Sequence, residues 1–148
     1  MAAAIIKYNN YILKQHTGNA IDWDTIPIKM MLTSVDYAPD IETHVFKSSI
    51  VGEITGGNYI SGGSTLNSIS VNQTNGILTI SANSVIWLQH ASGFTNARYG
   101  IIYGDTGDNN TSLLVGYINF GSNKGNVSGD LILNFNSTPN HGVLLIIS

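Results

Sequence analysis

The segment Thr95–Phe120, TNARYGIIYGDTGDNNTSLLVGYINF, constrains this 148-residue chain more than any other. Two runs rich in β-branched and aromatic residues, Ala97–Tyr103 and Leu113–Phe120, flank a loop of Gly, Asp, Asn, Thr and Ser. That pattern predicts a β-hairpin with a long polar connection. Neither run alternates strictly between apolar and polar residues. A strand covered on one face alternates, so this pair is expected inside a layered structure with both faces partly covered.

Further strands are read on either side. Ile26–Leu32, IPIKMML, is one, with Pro27 marking an edge position or a strand beginning because it has no N–H for the ladder. Leu66–Val71 alternates, Asn72–Gly76 supplies a turn ending in the Asn-Gly hairpin signal, and Ile77–Ile80 returns. Val85–Leu88 centres on Trp87, Asp130–Phe135 sets Leu131, Leu133 and Phe135 on one face, and Val143–Ile147 reads as a buried strand. Gly121–Gly129 is expected as a loop and Asn136–Gly142 as a Pro-containing turn. Tyr8–Thr17 has helical spacing with Gly18-Asn19 as a stop, and Ile41–Ser49 predicts a turn or two of helix with Ile41, Val45 and Phe46 on one face. The glycine pairs Gly56-Gly57 and Gly62-Gly63 lack the Lys-Ser or Lys-Thr of a phosphate loop and read as tight backbone crossings. The sum is an all-β chain: one jelly-roll-like β-sandwich domain over 1–148, with one or two short helices near the N-terminus and an extended arm over 1–20.

Composition limits the function. Charged residues make up 10% of the chain, against about 25% in an average globular domain. The net charge is −3 and the six Lys and Arg are scattered singly, which gives no footprint for nucleic acid. There is no cysteine, hence no disulfide and no thiolate chemistry. The apolar start Met1–Ile6 stops at Lys7, too short for a signal-peptide core or a bilayer span. A soluble intracellular product with no membrane partner is expected.

The residues suited to chemistry are thinly spread. His16, His44, His90 and His141 show no zinc spacing, and nothing selects a pair among Asp22, Asp24, Asp36, Asp40, Glu42 and Glu53. Asp105-Thr106-Gly107-Asp108-Asn109 resembles half a calcium loop without its closing Glu, so these side chains are expected to cap their own backbone. The expectation is no catalysis, no cofactor and no metal. Arg98, the single arginine, is either an interface anchor or a strand-face residue with its stem on neighbouring aromatics. It heads a candidate interface set with Tyr59, Trp23, Tyr103 and Asp105. A glycan- or receptor-binding module would instead use Tyr59, Trp87 or Tyr103, and a hydrolase His44 and Glu42.

Five motifs stand in one order, IKMMLTSVDYAPD, GGNYISGGSTL, VIW, ARYGIIYGDT and LVGYINFG, and with YNNY and IDWDT before them they extend over more than a hundred residues. In this the chain resembles a family of small accessory virion proteins of tailed bacteriophages. Trp23 and the GFTN before Ala97 depart from the commoner pattern. The resemblance implies a non-enzymatic structural protein of the virion, made in the host cytoplasm. It implies a capsid decoration or cement protein bound outside the major capsid shell, with the major capsid protein and neighbouring copies, as a homotrimer, for partners. The alternative is a tail, baseplate or fibre-associated component that is structural or binds a receptor or glycan.

Overall fold

The computed structural model describes residues 2–3, 5–135 and 141–147; residues 136–140 of the expected Pro-containing turn lie outside them. In chain order the elements are β1 (Ala2–Ala3), β2 (Ile6–Lys7), α1 (Asn10–Thr17), β3 (Ile28–Thr33), β4 (Ser64–Thr65), β5 (Ser70–Thr74), β6 (Ile77–Asn83), β7 (Val85–Trp87), β8 (Ala97–Gly104), β9 (Leu114–Lys124), β10 (Leu131–Phe135) and β11 (His141–Ile147). The all-β reading with little helix holds.

The expected hairpin is the centre of the larger sheet. β8 and β9 pair antiparallel and sit in a five-stranded sheet of order β2-β9-β8-β3-β4. Two three-stranded sheets, β1-β10-β7 and β11-β6-β5, lie against it. These two nearly join. β10 pairs with β7 and β11 with β6, so Leu131–Leu133 and then His141–Ile147 run antiparallel along the successive strands β7 and β6.

The main core fills the space between these layers. Ile28, Met30 and Leu32 of β3 meet Trp87, Leu131, Leu133, Phe135 and Leu144 from the facing sheets. The opposite face of the five-stranded sheet carries a second cluster, Tyr8, Met31, Tyr37, Ile101, Tyr103 and Leu114. Alternate residues of β3, β8 and β9 therefore point into two different apolar environments. This explains why the hairpin strands do not alternate between apolar and polar. Each side chain fully buried in these clusters contributes about 1.5–3 kcal/mol, and both faces of the sheet draw on it.

Pro27 directly precedes β3, where its missing N–H costs no ladder bond, and its carbonyl accepts the Asp105 N–H at 2.8 Å. The glycine pairs are close crossings, as expected. A Cβ on Gly63, whose φ is +89°, would fall on the Met30 carbonyl oxygen, and one on Gly56 would lie 2.9 Å from the Phe94 nitrogen.

Several boundaries differ from expectation. Ile41–Ser49 forms no α-helix; a single 3-10 turn covers Lys47–Ser49. The backbone around it is claimed by the neighbouring chain: Phe46 bridges Leu113, Lys47 N–H bonds the Ser112 carbonyl, and Leu114 N–H bonds the Val45 carbonyl. The first strand of the small hairpin starts at Ser70 rather than Leu66, because Ser68 takes φ 53° and breaks the extended run. The turn shrinks to Asn75-Gly76, both at positive φ, as a two-residue hairpin turn requires. β9 runs on to Lys124, through what reads as loop, with Gly121 at φ 77° where the register with β8 shifts. Gly142, expected in the turn, belongs to β11.

Candidate interaction surfaces

The folded glycine-rich loop brings two of the expected interface residues together. Glu53 is the hub. Its Oε1 accepts the Tyr59 hydroxyl at 2.9 Å and the Gly62 N–H, and its Oε2 takes the Ser61 hydroxyl at 3.3 Å. The Tyr59 hydroxyl also accepts the Leu32 N–H at 3.0 Å, and its ring meets Phe94 edge-on. Tyr103 donates its hydroxyl to the Gly62 carbonyl at 2.5 Å beneath the Lys47 ammonium, which lies 5.1 Å from the ring centroid. Desolvation raises both phenols well above the ordinary tyrosine value. Tyr103 has 0% of its surface exposed and Trp87 5%. The reading of these two as exposed aromatics for a partner or glycan is corrected on that ground: both belong to the interior.

Asp105 stands just past the end of β8, two residues after Tyr103, and forms an ion pair with Lys29 at 2.7 Å. Its hydrogen bond to Lys29, with help from the Gly107 N–H, holds its carboxyl below the usual carboxylate range. The loop after it caps itself: Asp105 Oδ1 takes the Gly107 N–H at 2.9 Å and Asp108 Oδ1 takes the Asn110 N–H at 2.8 Å. Among the described residues no group of three or more His, Asp or Glu is arranged to hold a metal ion.

Trp23 and Arg98 each stand with partners of their own. The Trp23 indole N–H donates to the Tyr11 hydroxyl at 3.0 Å, and the two rings meet edge-on. Trp23 lines an apolar groove of about 380 Å³ between α1 and the small hairpin, with Ile12, Val71, Leu78 and Ile147. Arg98 is half-buried and its Nε donates to Asn119 Oδ1 on β9 at 3.4 Å.

On the far side of the large sheet, a chain of hydrogen bonds runs from the Tyr8 hydroxyl to the Tyr37 hydroxyl (2.7 Å) and on to His44 Nδ1 (2.9 Å). Desolvation raises Tyr37 to about 12. His44 stacks on Tyr37 and is half-buried, whereas Glu42 is exposed.

The structure also shows a surface that the strand and motif reading missed. Ile86 of β7 and Ile132 of β10 are register partners, and both remain exposed, at 50% and 39%. Leu88, two residues on, is 64% exposed. Ile60, at 76%, shares with Ile86 the lining of a cleft of about 390 Å³ that Lys29 and Asn67 also border. These four large apolar side chains remain exposed. The sequence does carry a signal for it: residues 54–97, which hold β4 to β7, contain no Asp, Glu, Lys or Arg.

No helix among the described residues is long and apolar enough to cross a membrane. Comparison with protein-family models, with curated proteins and with solved structures finds no match to this chain.

Proposed function

We propose that this chain is a non-enzymatic structural protein of a tailed-bacteriophage particle, a decoration or cement protein that docks on the outside of the major capsid shell. The motif order described above supports the particle assignment. The observation that carries a docking role is the exposed set of Ile60, Ile86, Leu88 and Ile132, the first three of them within the charge-free stretch 54–97. Burying exposed apolar side chains drives association, and the lack of formal charge within residues 54–97 lowers the desolvation cost that charges impose at an interface core. Binding only to the assembled shell stabilises that shell by mass action. Many copies on a symmetric surface make modest single contacts effective.

Two measurements test this. Particles with and without the chain are heated, and rupture is followed by release of their nucleic acid; a higher rupture temperature with the chain is expected, and equal temperatures refute the cement role. In the second, Ile86→Asp and Ile132→Asp are expected to weaken binding to purified particles at least about tenfold. The circular dichroism spectrum should stay unchanged, because both side chains face outward. Unaltered binding removes the set from the interface.

A further inference from the structure

We propose that β5 pairs edge to edge with β5 of a second copy, joining two chains through a continuous antiparallel sheet. β5 ends the order β11-β6-β5, and among the described residues no strand pairs with its outer side. The strands that end the other sheet orders are short, charged or bulged, devices that blunt an edge. β1, β2 and β4 have two residues each, with Lys7 in β2, β7 has three, and β11 is bulged between Val143 and Leu145. β5 has five residues, Ser70-Val71-Asn72-Gln73-Thr74, with no charge, no proline and no register shift against β6. Its side chains beyond Ser70 are all exposed.

Register decides which groups face outward. Thr74 and Ile77 flank the two-residue turn and form the hydrogen-bonded pair of such a hairpin. Asn72 opposite Thr79, and Ser70 opposite Ser81, repeat that pairing. Val71 and Gln73 therefore turn their N–H and C=O groups to the open edge. A two-fold axis through Asn72 sets Val71 of one copy opposite Gln73 of the other, each pair exchanging both backbone hydrogen bonds. The edge is thus complementary to itself.

Charge argues for the same occupant. With no formal charge over residues 54–97, two identical edges meet without like-charge repulsion. The pairing stands whether or not the particle assignment holds, and it joins copies in twos, unlike the trimer implied by the family resemblance.

Sedimentation velocity of the full chain over about a hundredfold range of concentration is the test, since dimer population follows mass action. A reversible monomer–dimer equilibrium is expected. Gln73→Pro deletes an outward N–H that the symmetric pair uses twice, and should raise the dimer dissociation constant about tenfold or more. Asn72→Lys and Asn72→Asp place like charges directly opposite each other and should each weaken the dimer, whereas an equimolar mixture of the two should restore it. Unfolding temperatures serve as the fold control, and the exposed Asn72 variants decide the matter if the proline variant misfolds. A wild-type chain that stays monomeric overturns the proposal. So does a dimer that Asn72→Lys and Asn72→Asp leave unchanged.

Discussion

Replacing Glu53 by Ala and by Gln separates shape from charge at the hub of the glycine-rich loop. Alanine removes the acceptor for the Tyr59 hydroxyl, the Ser61 hydroxyl and the Gly62 N–H. Gly62 is buried and Tyr59 half-buried, so two of the three donors are left with restricted access to water. A hydrogen bond to a charged acceptor is worth about 1.5–3 kcal/mol, and an orphaned buried donor costs about 1–3 kcal/mol. Ser61 is exposed and regains water, so it adds little. The expected loss for Glu53→Ala is about 2–4 kcal/mol. For a chain of 148 residues that corresponds to roughly a 10 °C fall in Tm. Glutamine keeps one oxygen in place for Tyr59 and Gly62 and can offer its NH2 to the Ser61 oxygen. Its expected loss is about 1 kcal/mol, chiefly the lost charge assistance. Urea unfolding followed by tryptophan fluorescence measures both variants. Losses that agree within about 0.5 kcal/mol would refute the reasoning, because the hydrogen-bond geometry would then contribute nothing beyond charge.

Other substitutions test the remaining structure. Gly63→Ala, with its Cβ driven into the Met30 carbonyl at a positive φ, should abolish soluble folded protein, whereas Gly76→Ala, with open space around it, should cost only about 1 kcal/mol in a thermal melt. Asn126→Ala should lose about 2–4 kcal/mol in urea unfolding, since this buried amide accepts the Phe94 N–H and donates to Asn58 Oδ1 and the Leu88 carbonyl. On the alkaline side, Tyr37 is raised in the folded state, so its stabilising contribution is complete below about pH 10 and is lost as pH rises through about 12. Absorbance near 295 nm should show Tyr37 ionising together with unfolding, and independent titration near its ordinary value refutes its burial. On the acid side, Asp105 is lowered, so its contribution is present above the ordinary Asp value and lost as pH falls through the depressed one. Asp105→Asn should flatten the acid limb of the stability curve by at most about 1 kcal/mol, as the ion pair is partly exposed.

The parts of the fold that depend on local chemistry could be read from the residues. Asn75-Gly76 marks a turn wherever it stands, because both positions need positive φ and these residues tolerate it. The β8–β9 hairpin was legible for the same reason, with two strong β runs around a self-capping loop. What escaped depended on distant partners. Val45–Lys47 has helical spacing, but the backbone bonds to Ser112 and Leu114 hold it extended before its 3-10 turn. Tyr103 is an aromatic residue beside a polar loop, and nothing local reveals that the Gly62 carbonyl and Lys47 cover it. The exposed apolar set escaped in the opposite sense. Ile86 and Ile132 look like ordinary core residues until the pairing of β7 with β10 turns them outward together. Of the candidate interface set, Tyr59 and Tyr103 meet around one loop, with Asp105 two residues after Tyr103, while Trp23 and Arg98 take separate partners.

The pairing of β1 has a consequence for how the protein is made. Ala2 and Ala3 lie beside Asn134 and Phe135, and a few residues later Ile6 and Lys7 cross to the other layer to pair with β9. These residues thus wait for partners synthesised far later, and loop closure on that scale is entropically slow. Folding of the sandwich has to finish after residue 135 has left the ribosome. Until then the face of β3 and β8 that packs in the main core lacks Leu131, Leu133, Phe135 and Leu144. Slow translation would lengthen that exposure, and fast translation would shorten it.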